Sequence, residues 1–487
     1  MSRTISHKDS KHTGIFNKNL SAFVSLWLGR VSLWVLPLSF LAIAFFYPLY
    51  RILALTFDPG TLSSENILLA TDALLFTIYQ AALATFLTLL LGLPAAYFFA
   101  RYDFRGKSVL RALTVVPFML PTVVVAAGFS ALLGPRGLIH TLFPFASFNF
   151  IGTLTAILIA HVFYNTAIVI RVVGNSLSSL DPKLSQAARS LGADSQRVWR
   201  HVILPLLRPA LLASSLLVFL FDFTSFGVIL LLGGSQFATL EVEIYLRVLK
   251  LPDLSLAALL SLFQLACTLI VSILYSRVVS RTTHQTAPRS AGSNIRRPKS
   301  LRERIFVTVF GLLLFTFFFA PLAALPFRSS FRLEADRGQR GEIQYGFTTD
   351  YYTELFVNRR GSVFYVPPVQ ATFNSLGYAG ATVLLSLLLG FPAALALAKP
   401  TGLEKVLDPL IILPLGSSAV MLGLGFIVSY GAWLASPWLV PFAHTLIALP
   451  FVIRALQPAI ASIPERLRHA AASLGASPFD VWRHIDL

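Results

Sequence analysis

The chain has 487 residues, 55% of them hydrophobic and only 13% charged, with a mean hydropathy of +0.72. That balance excludes an ordinary soluble domain, and several runs reach the roughly 20 apolar residues that cross a bilayer. The formal charge of +17 sits in short loops between those runs, which is the positive-inside pattern rather than a nucleic-acid surface. The single Cys267, set in an apolar run, excludes an intrachain disulfide or a cysteine metal cluster.

In chain order, residues 1–30 are polar and basic, with no apolar core backed by a cleavage site. They predict a cytoplasmic N-terminal tail rather than a removable signal peptide. Residues 31–280 predict a first half of six membrane helices: about Ser32–Phe57, Leu74–Ala100, a third ending near Leu133, Ile151–Val172, Pro209–Leu232 and Leu256–Val278. The loop carrying Asp58, Glu65 and Asp72 has no Lys or Arg and is expected outside, whereas Arg101, Arg105, Lys107 and Arg111 follow the second helix inside. Residues 281–304, basic and rich in Ser, Thr and Pro, read as a flexible cytoplasmic linker. Residues 305–487 predict a second half of four helices, about Ile305–Pro326, Ala371–Ala398, Leu410–Leu434 and Leu439–Leu456, with a long external loop at about 327–370. The fold class is an all-α, polytopic membrane protein.

One polar stretch, Asp181–Pro205, recurs at Pro464–Leu487. Gly475 lies 283 positions after Gly192, and at that spacing Leu184, Ala187, Ala188 and Leu191 return as Leu467, Ala470, Ala471 and Leu474. Trp199-Arg200-His201 returns as Trp482-Arg483-His484. Asp181 is an N-cap candidate with Pro182 at the first helical position, and the leucines and alanines fall on one helix face. Gly192 follows where a helix often ends in a left-handed residue. Asp194 and Ser477 are placed to cap a second short helix, so each copy predicts helix, glycine corner, helix. An amphipathic connector lying on the headgroups would explain one copy; two copies of the same corner predict two equivalent docking points.

The halves match elsewhere too. Leu89–Ala96 returns as Leu387–Ala394, Pro117 and Gly128 as Pro414 and Gly425, and His161 and Arg171 as His444 and Arg454. Each half has the same number of crossings before its loop, so the repeats run parallel and both loops fall inside. A pseudo-twofold axis along the membrane normal and a pathway between the halves follow.

Ala187-Ala188, three residues, Gly192 and then Ile203-Leu204-Pro205 resemble the EAA loop of permeases in binding-protein-dependent ABC importers. The resemblance covers nearly the whole chain as two fused permease halves of the type I fold. It implies that Leu184, Gln186, Ala187, Ala188, Leu191, Gly192 and Pro205 in the first loop (181–205) form a coupling helix. Leu467, His469, Ala470, Ala471, Leu474 and Gly475 would form the second (464–487). Gln186 and His469 stand where the family has Glu. The resemblance further implies two copies of a cytoplasmic ABC ATPase and an extracytoplasmic solute-binding protein. ATP and magnesium would sit on the ATPase, with no cofactor on this chain, which would lie in the cytoplasmic (inner) membrane. The segments Leu230–Tyr245 and His444–Pro458 resemble the fused permeases for thiamine and for ferric iron, with thiamine favoured. The expected substrate is a small molecule or a metal ion.

No P-loop, H-E-x-x-H or G-x-S-x-G pattern occurs, so neither nucleotide hydrolysis nor metal or serine catalysis is expected on this chain. Leu232-Gly233-Gly234-Ser235-Gln236 looks like the signature loop of ABC ATPases, but the topology puts it outside, where chance explains it. His161 and His444 read as packing or hydrogen-bonding groups. Asp222 is the one carboxylate inside a predicted span, with a cation-pathway role and a structural hydrogen bond as its two readings. A secondary transporter with two parallel repeats is the competing class, although it would normally carry buried ionisable groups for ion coupling. A membrane enzyme or scaffold would need a catalytic cluster or a soluble domain. Finally, the second loop ends at Leu487, the place of Leu204, so the expectation is a truncated second half lacking its last two helices.

Overall fold

The computed structural model describes residues 31–487 apart from 59, 136, 144–149, 284–294, 333–345, 359–360, 362–364, 399, 482 and 485–487. The N-terminal tail, much of the basic linker, part of the expected external loop and the end of the second repeated loop therefore lie outside the described residues. The first half contains α1 (Val31–Thr56), α2 (Ser64–Arg101), α3 (Lys107–Met119), α4 (Thr122–Leu133), α5 (Leu154–Ser179), α6 (Pro182–Ser190), α7 (Ser195–Phe223), α8 (Leu240–Leu249) and α9 (Leu254–Thr283). After the linker come α10 (Leu301–Ser330), α11 (Pro368–Ala398), α12 (Gly402–Ile412), α13 (Ala419–Tyr430), α14 (Leu439–Ala461), α15 (Glu465–Ser473) and α16 (Pro478–Val481). A two-residue strand pair, Phe331–Arg332 with Gly346–Phe347, closes a hairpin after α10.

Among the described residues nine helices are long and apolar enough to cross a membrane. The expected crossing Leu410–Leu434 is divided. α12 gives way to a 3-10 turn at Leu413–Gly416, where Pro414 lacks the donor a continuing helix needs, and α13 starts afresh with Ser418 Oγ accepting from the Met421 amide at 2.9 Å. Its apolar stretch, Ala419–Trp433, is shorter than a full span. The expected second crossing, by contrast, begins earlier than Leu74. Ser63 accepts from the Asn66 amide at 3.2 Å and Glu65 lies in the first turn, so Glu65 and Asp72 ride on α2 rather than in a loop. α10 opens with a capping box between Ser300 and Glu303. The expected Pro209–Leu232 crossing is shifted as well: α7 runs from Ser195, through a π turn at Trp199–Ile203, and stops at Phe223.

Two compact units form, and they cut across the sequence repeat. One comprises residues 55–365 and the other residues 1–54 with 366–487. In the 55–365 unit α2 lies along α5, with α7 packed on both and α9 on α7. A Cβ added at Gly92 would sit 2.7 Å from Val169 Cβ, so glycine there permits the close α2–α5 approach. α10 joins this unit: Phe318 and Leu314 are buried with Phe98, Phe129 and Phe163. A Cβ on Gly128 of α4 would meet the Pro321 carbonyl of α10 at 2.6 Å.

The other unit repeats the plan. α11 lies along α14, with Gly390 against Val452 as Gly92 is against Val169. Here α1 supplies Trp34, Leu41 and Phe45 to the core, and Gly425 of α13 faces Pro48 of α1. The opening helix of each sequence half thus packs with the body of the other half, through the same glycine-on-proline contact.

Candidate functional site

The two repeated loops fold alike. In the first, the Lys183 amide donates to Asp181 Oδ1 at 2.9 Å and α6 begins at Pro182. Gly192 has φ +84°, and the Ala193 amide closes back on the Ala188 carbonyl at 3.0 Å. In the second, Gly475 has φ +85° and the Ala476 amide closes on Ala471 at 3.0 Å. Both are glycine-terminated helix ends of the Schellman type, in which a left-handed residue lets the chain turn away. The following helix is capped by Asp194, which accepts from the Arg197 amide at 2.7 Å, and in the second loop by Ser477. The Ser477 hydroxyl in turn holds the Asp480 carboxyl below its ordinary value.

The side chains are presented in the same way. Leu184 and Leu467 are 47% and 49% exposed, and Leu191 and Leu474, at the corners, are 89% and 88% exposed. Ala187 and Ala470 are exposed and Ala188 and Ala471 half-buried. Gln186 is exposed on α6; the side chain of its counterpart His469 lies outside the described residues, with its backbone on α15. Pro205 lies half-buried at the start of the regular helix that follows the π turn. Each loop therefore offers a low ridge of leucine and alanine to solvent. The two corners thus present matching leucines, almost fully exposed in both loops.

Asp222 is placed quite differently. It is 0% exposed on α7, and its Oδ1 accepts from Asn165 Nδ2 at 2.7 Å. His161 Nδ1 lies 3.6 Å from the same oxygen, its Nε2 bonds the Ser225 hydroxyl at 2.9 Å, and Gln80 Nε2 donates to the Asp222 carbonyl at 2.9 Å. This cluster ties α2, α5 and α7 together. Asn165, Ser225 and Gln80 were not singled out from the sequence; a lone Asn or Gln in an apolar run was the available signal. A second buried carboxylate was missed as well. Glu241, in the stretch read as external, is 0% exposed and accepts from Gln264 Nε2 of α9 at 2.9 Å. Of the two repeated histidines, His161 is buried and His444 exposed. Gly233 and Gly234 of the signature-like pentapeptide form the end of a π turn and a left-handed link to a short 3-10 helix, not a helix N-terminus that cradles phosphate. Among the described residues no group of three or more His, Cys, Asp or Glu is placed to hold a metal ion.

Comparison with known proteins agrees with this architecture. Residues 88–284 match the family of binding-protein-dependent transport system inner membrane components. The thiamine transport system permease of Brucella abortus is 28% identical over 425 residues, covering 84% of this chain and 73% of the relative. A protein of Sinorhizobium fredii named as an ABC transporter permease is 27% identical over 93% of this chain and 81% of its own length. A Salmonella typhi permease protein named for a 2-aminoethylphosphonate transport system is 30% identical over 274 residues, 53% of this chain and 95% of that protein. Such proteins are transport components rather than enzymes. The chain belongs to the family of binding-protein-dependent transport system inner membrane components, and is a multi-pass inner-membrane permease of the ABC importer type.

Proposed function

We propose that this chain passes a solute, delivered by an extracytoplasmic binding protein, across the inner membrane by alternating access coupled to a separate cytoplasmic ATPase. The repeated exposed loop carries this reading: two matched leucine corners suit two copies of one ATPase, one docked at each loop. The basic loops support an N-terminus on the cytoplasmic side, and with α13 crossing as its counterpart α4 does, both loops would lie on that side. ATP and magnesium belong to the ATPase in this scheme, and this chain's part is mechanical.

Thiamine is the favoured cargo, because the Brucella relatives named for it align across both halves of the chain, whereas the phosphonate relative aligns with about half of it. Ferric iron is the alternative from the same sequence resemblance. The test is uptake of labelled thiamine by cells carrying this chain with its binding protein and ATPase. Saturable uptake that survives collapse of the ion gradient but stops when the ATPase is inactivated supports the reading. Uptake that follows the ion gradient instead would make the protein a secondary transporter.

A further inference from the structure

A cavity of about 510 Å³ lies behind the first loop, on the side of α6 away from the leucine corner. Its walls include Tyr97, Arg101, Arg189, Trp199 and Arg296. Two span helices, α2 and α5, end at it, and α7 enters its span beside it, so the cavity lies at the level where lipid headgroups meet water. The Tyr97 and Trp199 rings meet with centroids 5.7 Å apart and planes tilted by 57° along one wall. Aromatic rings at that depth are amphipathic anchors, apolar toward the chains and polar toward the headgroups.

The charges are unbalanced. Asp181 is the one carboxylate on the wall, and it is engaged with the Lys183 amide as the cap of α6. Arg296 is paired with Glu303 and lies over the Tyr102 ring at 5.9 Å. Arg101 and Arg189 have no carboxylate partner among the described residues. The wall is also fixed in place: the Arg296 amide donates to the Arg101 carbonyl at 3.0 Å, and the Asp103 amide to the Arg296 carbonyl at 2.9 Å. A polar cavity with two unpaired guanidinium groups, held by backbone bonds, is built for an anion with several acceptor oxygens.

We propose that this cavity binds a phosphate group through Arg101 and Arg189, with Tyr97 and Trp199 flanking whatever carries the phosphate. The carrier is either an anionic phospholipid of the inner leaflet or a soluble phosphorylated small molecule; both present the same oxygens. Because α6 forms one wall, occupancy would brace the first loop.

The test uses the full chain in nanodiscs of phosphatidylcholine, with tryptophan fluorescence and melting temperature as readouts. Inorganic pyrophosphate is titrated in one arm, and phosphatidylglycerol is added to the discs in the other. A saturable response to either is expected, weakened about ten-fold by Arg101→Gln and again by Arg189→Gln, because each removes one charge-assisted contact. Arg189 is exposed, so its variant keeps the fold even where Arg101→Gln does not. A response to pyrophosphate identifies a soluble ligand and a response to phosphatidylglycerol alone identifies the lipid. No response in either arm would overturn the proposal. So would a response that Arg189→Gln leaves intact, or that Arg200→Gln, an exposed arginine outside the cavity, weakens equally.

Discussion

The two repeated loops have the same surface over different interiors. Leu191 and Leu474 stand equally bare beyond corners of φ +84° and +85°. Behind them the side chains diverge. Arg454 donates to Asp408 at 2.9 Å, whereas the matching places in the first half hold Arg171 and Arg111, two positive charges. Arg111 lies over the Phe99 ring at 5.6 Å instead, and Arg171 has no carboxylate partner among the described residues. Interiors can be satisfied in many ways, since any complementary set of buried polar partners serves. A surface repeated to the level of one glycine and one leucine points to a demand from outside the chain, the same at both loops.

The comparison is broken most severely at the corners. A β-branched residue at Gly192 or Gly475 must adopt a left-handed conformation at about 1–3 kcal/mol, so Gly192→Val and Gly475→Val should leave the protein inserted while uptake falls sharply. Normal uptake by both variants would remove the loops from the mechanism. Next in size is the buried Asp222 cluster of the first half. Asp222→Ala leaves the buried Asn165 amide without its acceptor, at about 1–3 kcal/mol, and should lower the melting temperature and the amount of protein recovered from membranes. Asn165→Ala should cost less when combined with it than alone. If Asp222→Ala instead keeps full yield and melting temperature but loses uptake, the carboxylate acts in a pathway. Leu191→Ala and Leu474→Ala should each leave the melting temperature unchanged and weaken ATPase association about ten-fold, the loss of roughly one leucine's burial at an interface. The smallest effect is expected at the half-exposed pair: Asp408→Asn should cost about 1 kcal/mol or less.

The loops were legible in the sequence because their determinants are local. Asp181, Pro182 and Gly192 are cap, first-turn and corner residues whose partners lie within a few positions. The repeat was equally plain, since Gly92 and Gly390 keep the spacing of the helices they let approach. What could not be read is what depends on distant partners. That α1 packs with α11 and α14, and α10 with α4, follows from shapes such as Pro48 against Gly425, which hydropathy does not encode. The division at Leu413–Gly416 was masked by apolar residues on both sides of Pro414. The Asp222 cluster spans positions 80, 161, 165, 222 and 225, and only its charged member announced itself.

The central claim, that both loops dock a cytoplasmic ATPase, is tested most directly by cross-linking. In a Cys267→Ser background, Leu191→Cys and Leu474→Cys would each be carried into the full transporter assembled with its ATPase and treated with a short bifunctional thiol reagent. Both positions should capture the ATPase with similar yield, each molecule of this chain binding two copies, and the yield should change on adding ATP. Capture at neither position, while the ATPase still co-purifies with the chain, would contradict it.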